Sequence, residues 1–582
     1  MKKNCLLVLS ILSLMMLAGC GSNKTSTSTS IDGAGYNSEI SVEEPEDIEV
    51  SESTEEFSIV TSDGTYSNSG NIYTLSAAGT YTLSGKLDGQ ILVTAGENDE
   101  VVIELNDASI SYDQDSPIKV ASADKVEISA KKDTENAITD KRSEKTVDND
   151  TLGEGAIYAD CDLKLKGNGT LVVTGNYNNG IHITKDLTIQ KLTMKVTGYN
   201  NAIKGNNSIT INSGTVQAYA KTGNGIKTED NDVSSSGNQK GTVAINGGYV
   251  YVDSLHDAID SAYDVVVDQT DSEVSTSINI KTGKNSSYYS SSFKADSEKG
   301  LKALNNITIN NGTLTIAASD DAIHANYGET LENGSKGLGN ITVNGGTIQV
   351  ASGDDGLHAD NTLNITGGKV VVTNATEGFE GNYINISGGY SYIYGTDDGV
   401  NCSKKSFSSC AFTMTDGYLD VAVKSGDTDG IDSNGNFTLS GGVIVTRGAP
   451  GTTGSGMSTG LDVDGTCSMT GGTLIAFNGL EITPSTSSSV RYAGTKQSSS
   501  QGGPGGGYGG PGGSSSSSSV SLQAGNYTLS GTGIDISFIN DYAYGSFLIY
   551  SSSLTTGSTY TLARNNSTVL SWNQSSSSVT IS

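Results

Sequence analysis

Arginine is almost missing from this chain of 582 residues, which places it only at Arg142, Arg447, Arg491 and Arg564. Basic residues are scarce altogether: Lys and Arg number 34 against 64 Asp and Glu, a formal net charge of −30. Nucleic acids and anionic lipid surfaces are bound through basic patches, so this balance argues against both as ligands. Helical periodicity is lacking too. No segment beyond the N-terminus shows an apolar stripe at 3.6-residue spacing, and no apolar run is long enough for an ordinary membrane span. Cysteines are few. Apart from Cys5 and Cys20 there are Cys161, Cys402, Cys410 and Cys467, with no CxxC zinc pattern. Cys402 and Cys410 are near enough in sequence to bridge a local loop, and their redox state is left open.

The N-terminus reads as a targeting segment over residues 1–19. Lys2 and Lys3 precede an apolar run from Leu6 to Leu17, followed by Ala18-Gly19-Cys20. This ending is similar to the lipobox of bacterial lipoproteins, which implies cleavage before Cys20 and lipidation of its thiol. A chain so modified is anchored at the cell membrane, on its extracellular face. A plain secretory signal with an incidental cysteine is the alternative. Residues 20–56 are acidic, rich in Ser and Thr and poor in large apolar side chains, which predicts a flexible tether. Residues 497–519 are rich in Gly, Pro and Ser and read as a loop or linker.

Between these stretches one short phrase recurs: small or acidic residue, Gly or Ala, aliphatic, polar. It appears as Asn179-Gly180-Ile181-His182, Asp321-Ala322-Ile323-His324, Asp355-Gly356-Leu357-His358 and Asp429-Gly430-Ile431-Asp432, among about ten copies. Its Gly or Ala positions mostly lie 21–24 residues apart. A fixed period of this size signals a solenoid in which each coil presents the same position in the same column. Each repeat carries two short alternating patterns, such as Ile341-Thr342-Val343 and Thr347-Ile348-Gln349-Val350, joined by Gly-Gly turns. The predicted fold is all-β, a right-handed parallel β-helix over residues 57–496, with residues 520–582 as a β-rich C-terminal cap. A β-sandwich array is the rival and needs longer strands.

Function then depends on what stacks in each column. The position before Gly or Ala runs Asn179, Asn201, Asn224, Asp257, Lys299, Asp321, Asp355, Glu377, Asp398 and Asp429. Two residues beyond Gly or Ala the column runs His182, Lys204, Lys227, Asp260, Lys302, His324, His358, Glu380, Asn401 and Asp432. Asp320, Asp354, Asp397 and Asp427 add acids just upstream. Carboxylates stacked at about 4.8 Å repel by roughly 3–4 kcal/mol per pair at an effective dielectric of about 20. Lys299 and Lys302 can neutralise their neighbours, while no basic residue interrupts the column further on. A divalent cation relieves such strain, and calcium tolerates irregular oxygen ligation. The candidate metal ligands are Asp257, Asp260, Asp320, Asp321, Asp354, Asp355, Asp397, Asp398, Asp429 and Asp432, with Ca2+ as the cofactor. A solvated acidic surface is the competing account. His324 and His358 suit zinc or nickel, or else serve as turn residues bonded to neighbouring acids.

A second surface follows the Gly-Gly turns, where the first residue points outward. It places Tyr390, Tyr392, Tyr394 and Tyr418 on one wall, a candidate platform for stacking sugar rings. Tyrosine also simply favours exposed strands.

The lipobox, acidic tether, repeated Asp-Asp-Gly turns, Asn-Gly-Gly turns and late Gly/Pro-rich insertion together resemble bacterial surface proteins with carbohydrate-binding domains. That resemblance covers roughly residues 55–480. It implies a calcium-binding right-handed β-helix, similar in fold to pectate lyases, that binds cellulose and polygalacturonate. The function expected on these grounds is a monomeric, calcium-dependent polysaccharide-binding lipoprotein without catalytic residues. Two alternatives stand beside it. A polysaccharide lyase needs a strong base such as Arg or Lys near the abstracted proton, and only Arg447 lies in a repeat wall. A structural adhesin is the other.

Overall fold

The computed structural model describes residues 40–146, 151–292, 296–332, 334–424, 426, 428–450, 458–495 and 522–581. The expected signal segment, Cys20, the upstream acid Asp427 and the stretch 497–519 lie outside these residues. Among the described residues the regular structure is all β apart from one 3-10 turn, Gly283–Asn285. One large, mostly parallel sheet holds 45 strands.

The chain builds this sheet by returning, repeat after repeat, to the same three parallel ladders. One ladder stacks Ile118–Ser122, Gly155–Ala159, Asn179–Ile183 and Ile203–Gly205, and continues through Ile323–Ala325 and Leu357–Ile365 to Leu461–Val463. A second runs from Lys125–Ala130 through Asp162–Gly167 and Asp186–Gln190. The third includes Leu192–Gly198, Gly214–Ala220, Gly248–Ser254 and Thr276–Thr282. Strands this short cannot bury a face alone, but stacked they share one core. Ile181, Ile203, Ile226, Ile259, Leu301, Ile323, Leu357 and Phe379 are all fully buried in a continuous row. Each such side chain contributes about 1.5–3 kcal/mol when removed from water.

The Gly-Gly turns work because the second glycine sits in left-handed backbone space, at φ +78° for Gly368 and +76° for Gly389. They also stack closely: a Cβ on Gly389 would lie 2.8 Å from the Gly367 backbone. Inside the repeated phrase the constraint is packing instead. A Cβ on Gly378 would lie 1.9 Å from Ile393 Cγ2 and 2.7 Å from the Gly399 carbonyl oxygen. Gly378→Ala is therefore expected to destabilise the protein by about 1–3 kcal/mol, the usual cost of overpacking. A urea titration measures it, and an unchanged midpoint would show that Ile393 yields freely.

At each end of the sheet one ladder is capped by an antiparallel strand. Ser58–Val60 pairs antiparallel with Gly79–Asp88 at the N-terminal end. At the far end Phe547–Ser551 pairs antiparallel with Thr473–Phe477. A four-stranded antiparallel sheet, Gly525–Gly531, Ile534–Asn540, Thr559–Arg564 and Ser567–Asn573, lies against the last repeats. Arg447 fastens it there. Its guanidinium, only 1% exposed, pairs with buried Asp420 and donates to Asn540 Oδ1 and the Ile539 carbonyl oxygen, both at 2.7 Å.

Residues 40–56 form no strand, yet they are held to the body rather than hanging free as a tether. Glu44 pairs with Lys281 at 2.7 Å, Asp47 pairs with Lys195, and Gln217 donates to the Glu46 carbonyl oxygen at 2.8 Å.

Candidate functional site

The charged column forms as the repeat spacing predicts. His182 aligns with Lys204, then follow Lys227, Asp260, Lys302, His324, His358, Glu380, Asn401 and Asp432, each directly opposite the next. Asp462 adds one further rung beyond Asp432. The neighbouring column is a ladder of side-chain-to-backbone bonds. Asn179 Oδ1 accepts from the Asn201 amide and Asn201 Oδ1 from the Asn224 amide. Asp321 Oδ1 accepts from Asp355 N at 3.0 Å, Asp355 Oδ1 from Glu377 N at 3.2 Å, and Asp398 Oδ1 from Asp429 N at 2.7 Å. Asn or Asp recurs before Gly because a short side-chain oxygen reaches the amide of the next repeat. One carboxylate oxygen of Asp321, Asp355 and Asp398 is thereby committed to the next repeat.

The candidate acids fall into three groups. Near the middle of the chain Asp257 and Asp260 are neutralised. Lys302 Nζ lies 3.1 Å from Asp257 Oδ2, and Lys227 Nζ lies 2.7 Å from Asp260 Oδ2. Lys299 Nζ reaches Asp320 and Asp321 at 2.8 and 2.6 Å, although Asp320, Asp321 and Asp354 lie close enough together to hold a cation. The Lys299 ammonium thus neutralises its acidic neighbours, as its place in the column allows.

The second group surrounds the histidines. His324 and His358 stack with ring centroids 4.3 Å apart and an interplanar angle of 10°. Asp321 and Asp355 face their Nδ1 atoms, while Asp360 and Glu380 face the Nε2 side. Burial opposes the charge on His358, but the Asp355 and Asp360 carboxylates prevail and raise its pKa to about 10. Burial pushes the Asp355 carboxyl up, with Glu377 and Glu380 adding to it. Asp360 is held well below the carboxylate range by the two imidazoles, against its burial.

The third group is Asp397, Asp398, Asp429 and Asp432, joined by Asp462 and Asp464. Burial, reinforced by Asp429, Asp432 and Asp397, pushes the Asp398 carboxyl up to about 8. Asp429 rises to about 7 through burial and then Asp462, and Asp432 to about 6 for the same two reasons. Among the described residues no Lys, Arg or His forms an ion pair with Asp398, Asp429 or Asp432 within 4.0 Å.

The tyrosine wall requires correction. Tyr390 is 38% exposed, but Tyr392, Tyr394 and Tyr418 are buried at 6%, 3% and 7%. Tyr392 and Tyr418 pack into a core shared with Phe477, Phe538 and Tyr544, and the Tyr418 hydroxyl donates to the Ser537 carbonyl oxygen at 3.1 Å. These rings do point outward from their own sheet, as the alternation predicts. The C-terminal antiparallel sheet then covers them, so they cannot stack on sugar. Arg447 is likewise withdrawn from any catalytic role by its buried pairing with Asp420.

Asp360 went unrecognised in the sequence, although it lies two residues after His358 on the same strand and hence on the same face. A polar cavity of about 250 Å³ opens along the column's basic end, lined by residues including Asn201, Lys204, Asn224, Lys227, Glu229 and His256.

Fold and site together define an all-β protein with a long, charge-graded polar edge along one ladder. The chain belongs to the family of carbohydrate-binding domain-containing proteins, whose model matches residues 69–356, 329–378 and 340–503. A relative from Acetivibrio thermocellus, described as a carbohydrate-binding domain-containing protein, is 38% identical over 128 residues, or 22% of this chain. The match spans 42% of that relative's length. A solved structure described as the polysaccharide lyase-like protein from C. thermocellum, gadolinium derivative, is 31% identical; the match covers 44% of this chain and 90% of that one, with a TM-score of 0.35.

Proposed function

We propose that this protein is a surface-anchored, calcium-dependent polysaccharide-binding lipoprotein built on a right-handed parallel β-helix. Family membership supports carbohydrate as the ligand class. The observation that carries the calcium reading is the third acidic group, where the partly buried Asp398, Asp429 and Asp432 crowd successive repeats, Asp398 Oδ1 accepting from Asp429 N at 2.7 Å, and burial with mutual repulsion pushes their carboxyls up. Hard oxygen ligands at adjacent rungs suit Ca2+, and the ion relieves their mutual repulsion. The lysines and asparagines at the basic end offer donors to uronate carboxylates and sugar hydroxyls. Polygalacturonate or cellulose is the proposed ligand, lying along the charged column rather than on the tyrosines. Lipid on Cys20 would hold the protein at the extracellular face of the cell membrane.

A polysaccharide lyase on the same fold is the second reading, favoured by the lysines of the column, which could supply a base. Sedimentation with insoluble polygalacturonate, in calcium and in chelator, tests both. Retention in calcium and release in chelator, with no unsaturated product released, is the expected result. Product formation would establish the lyase, and retention that ignores chelator would remove calcium from the account.

A further inference from the structure

The outer wall of the third ladder carries side chains that neither the core nor the charged column uses. Met194, Val216, Val250 and Ile278 turn inward and are fully buried. Alternation therefore sets Lys195, Gln217, Tyr251 and Asn279 outward, directly opposite one another on successive rungs. Thr197, Tyr219, Asp253 and Lys281 form a second outward row beside them. The Tyr219 and Tyr251 rings lie 5.7 Å apart, and Lys195 Nζ lies 5.4 Å from the Tyr219 ring centroid. Asp253, the acid of these rows, is buried and committed to Ser287, accepting from its Oγ at 2.6 Å. What the wall offers is ammonium, aromatic and amide groups, which pair with carboxylates, pack on sugar rings and bond hydroxyls.

An extended acidic segment already lies on this wall. Residues 40–56 carry eight acidic side chains and no basic one. They cross the rungs: Glu44 pairs with Lys281, and Asp47 pairs with Lys195 three rungs away. Both lysines are largely covered, whereas Glu44 and Asp47 stay exposed, and ion pairs so open to water hold weakly. Among the described residues the segment's amides find partners on the body from Ser51 onward, where Ser51 N donates to Glu135 Oε2 at 2.9 Å and Ser53 N to Ser109 Oγ at 2.8 Å.

Gln217 supplies an independent observation. It is 1% exposed; its Nε2 donates to the Glu46 carbonyl oxygen at 2.8 Å, while its Oε1 accepts no hydrogen bond. A buried acceptor left without a donor is costly. A backbone carbonyl cannot donate to it. Sugar hydroxyls can both accept from Nε2 and donate to Oε1.

We propose that this wall, from Lys195 through Gln217 and Tyr251 to Lys281, is a second binding site, for an extended polyuronate chain, and that residues 40–50 are an acidic strap occupying it until the ligand displaces them. The ligand class rests on the carbohydrate reading above. The site itself needs no metal and lies on a different ladder from the charged column.

The test uses the full chain in chelator, with oligogalacturonate titrated by calorimetry. Glu44→Gln with Asp47→Asn removes both pairs from the strap. That variant is expected to bind about three- to tenfold more tightly than the parent, because apparent affinity follows the fraction of molecules with the site open. Added salt should weaken the binding. Further substitution of Lys195→Gln and Lys281→Gln should cancel the gain, and a neutral cello-oligosaccharide should show none. Limited proteolysis within residues 40–50 reports whether the strap has lifted, and circular dichroism that the variants fold. A lifted strap with no gain, a gain that survives loss of both lysines, or an equal gain for the neutral sugar overturns the proposal. Should the strap stay protected, Glu44→Lys with Asp47→Lys, which sets like charges against Lys281 and Lys195, is judged by the same results. Pelleting of the parent with polygalacturonate in calcium separates the two readings. Retention there without a gain here removes the strap site alone, whereas no binding in either removes the carbohydrate reading with it.

Discussion

Chelated protein is expected to lose stability as pH rises from about 4 to about 8, and Asp398→Asn to remove much of that loss. The carboxyls of Asp398, Asp429 and Asp432 are raised in the fold to about 8, 7 and 6, above an ordinary value of 3.8. Between those values the folded chain binds more protons than the unfolded one, so stability falls with increasing pH. It is highest below the unfolded pKa and levels off once pH exceeds the folded values. One pKa unit corresponds to about 1.4 kcal/mol, but these groups remain in partial contact with water, and about 1–3 kcal/mol is the expected total effect. Asparagine at 398 keeps an oxygen to accept from Asp429 N while removing one charge. The variant should therefore melt higher than the parent in chelator at pH 8 and gain less from calcium. Melting curves at pH 5 and pH 8, with chelator and with calcium, check both signs. A melting temperature independent of pH in chelator would mean that water already screens these acids.

Removing Arg447 is expected to have the largest effect of any single substitution in the walls of the sheet. Asp420 is fully buried, and Arg447 is its ion-pair partner. Arg447→Met fills similar volume but leaves a charge without compensation, at a cost of about 3–5 kcal/mol. It also severs the bonds to Asn540 and Ile539, which fasten the C-terminal sheet. Limited proteolysis should then cut within residues 522–581 while the repeats stay protected, and Tyr392 and Tyr418 should become accessible. Unfolding midpoints that match the parent at neutral pH would show that the pair contributes no more than an exposed salt bridge.

The column of charged side chains was legible in the sequence because one residue in a repeat fixes all its equivalents. Lys204, Lys302, His358 and Asp432 take their places opposite their neighbours as the spacing dictates. What each does there was less legible, since it depends on partners outside the repeated phrase. Lys405 and Asp360 decide the environment of Glu380 and His358, and neither occupies a repeated position. The tyrosines show the other boundary of such reasoning. Alternation tells which face of a strand a ring occupies, and Tyr392 does leave its own core. It says nothing about a segment over a hundred residues later that folds back and covers that face. The acidic N-terminal stretch is a similar case: composition argues for disorder, yet Glu44 and Asp47 find Lys281 and Lys195 at regular positions along the third ladder.

Stacked parallel strands leave an open row of amide and carbonyl groups at each end, a template on which a second chain could dock and a third upon that. Here one such row at each end is covered by the chain's own strand in reversed direction, Ser58–Val60 on Gly79–Asp88 and Phe547–Ser551 on Thr473–Phe477, which denies that row to a second chain.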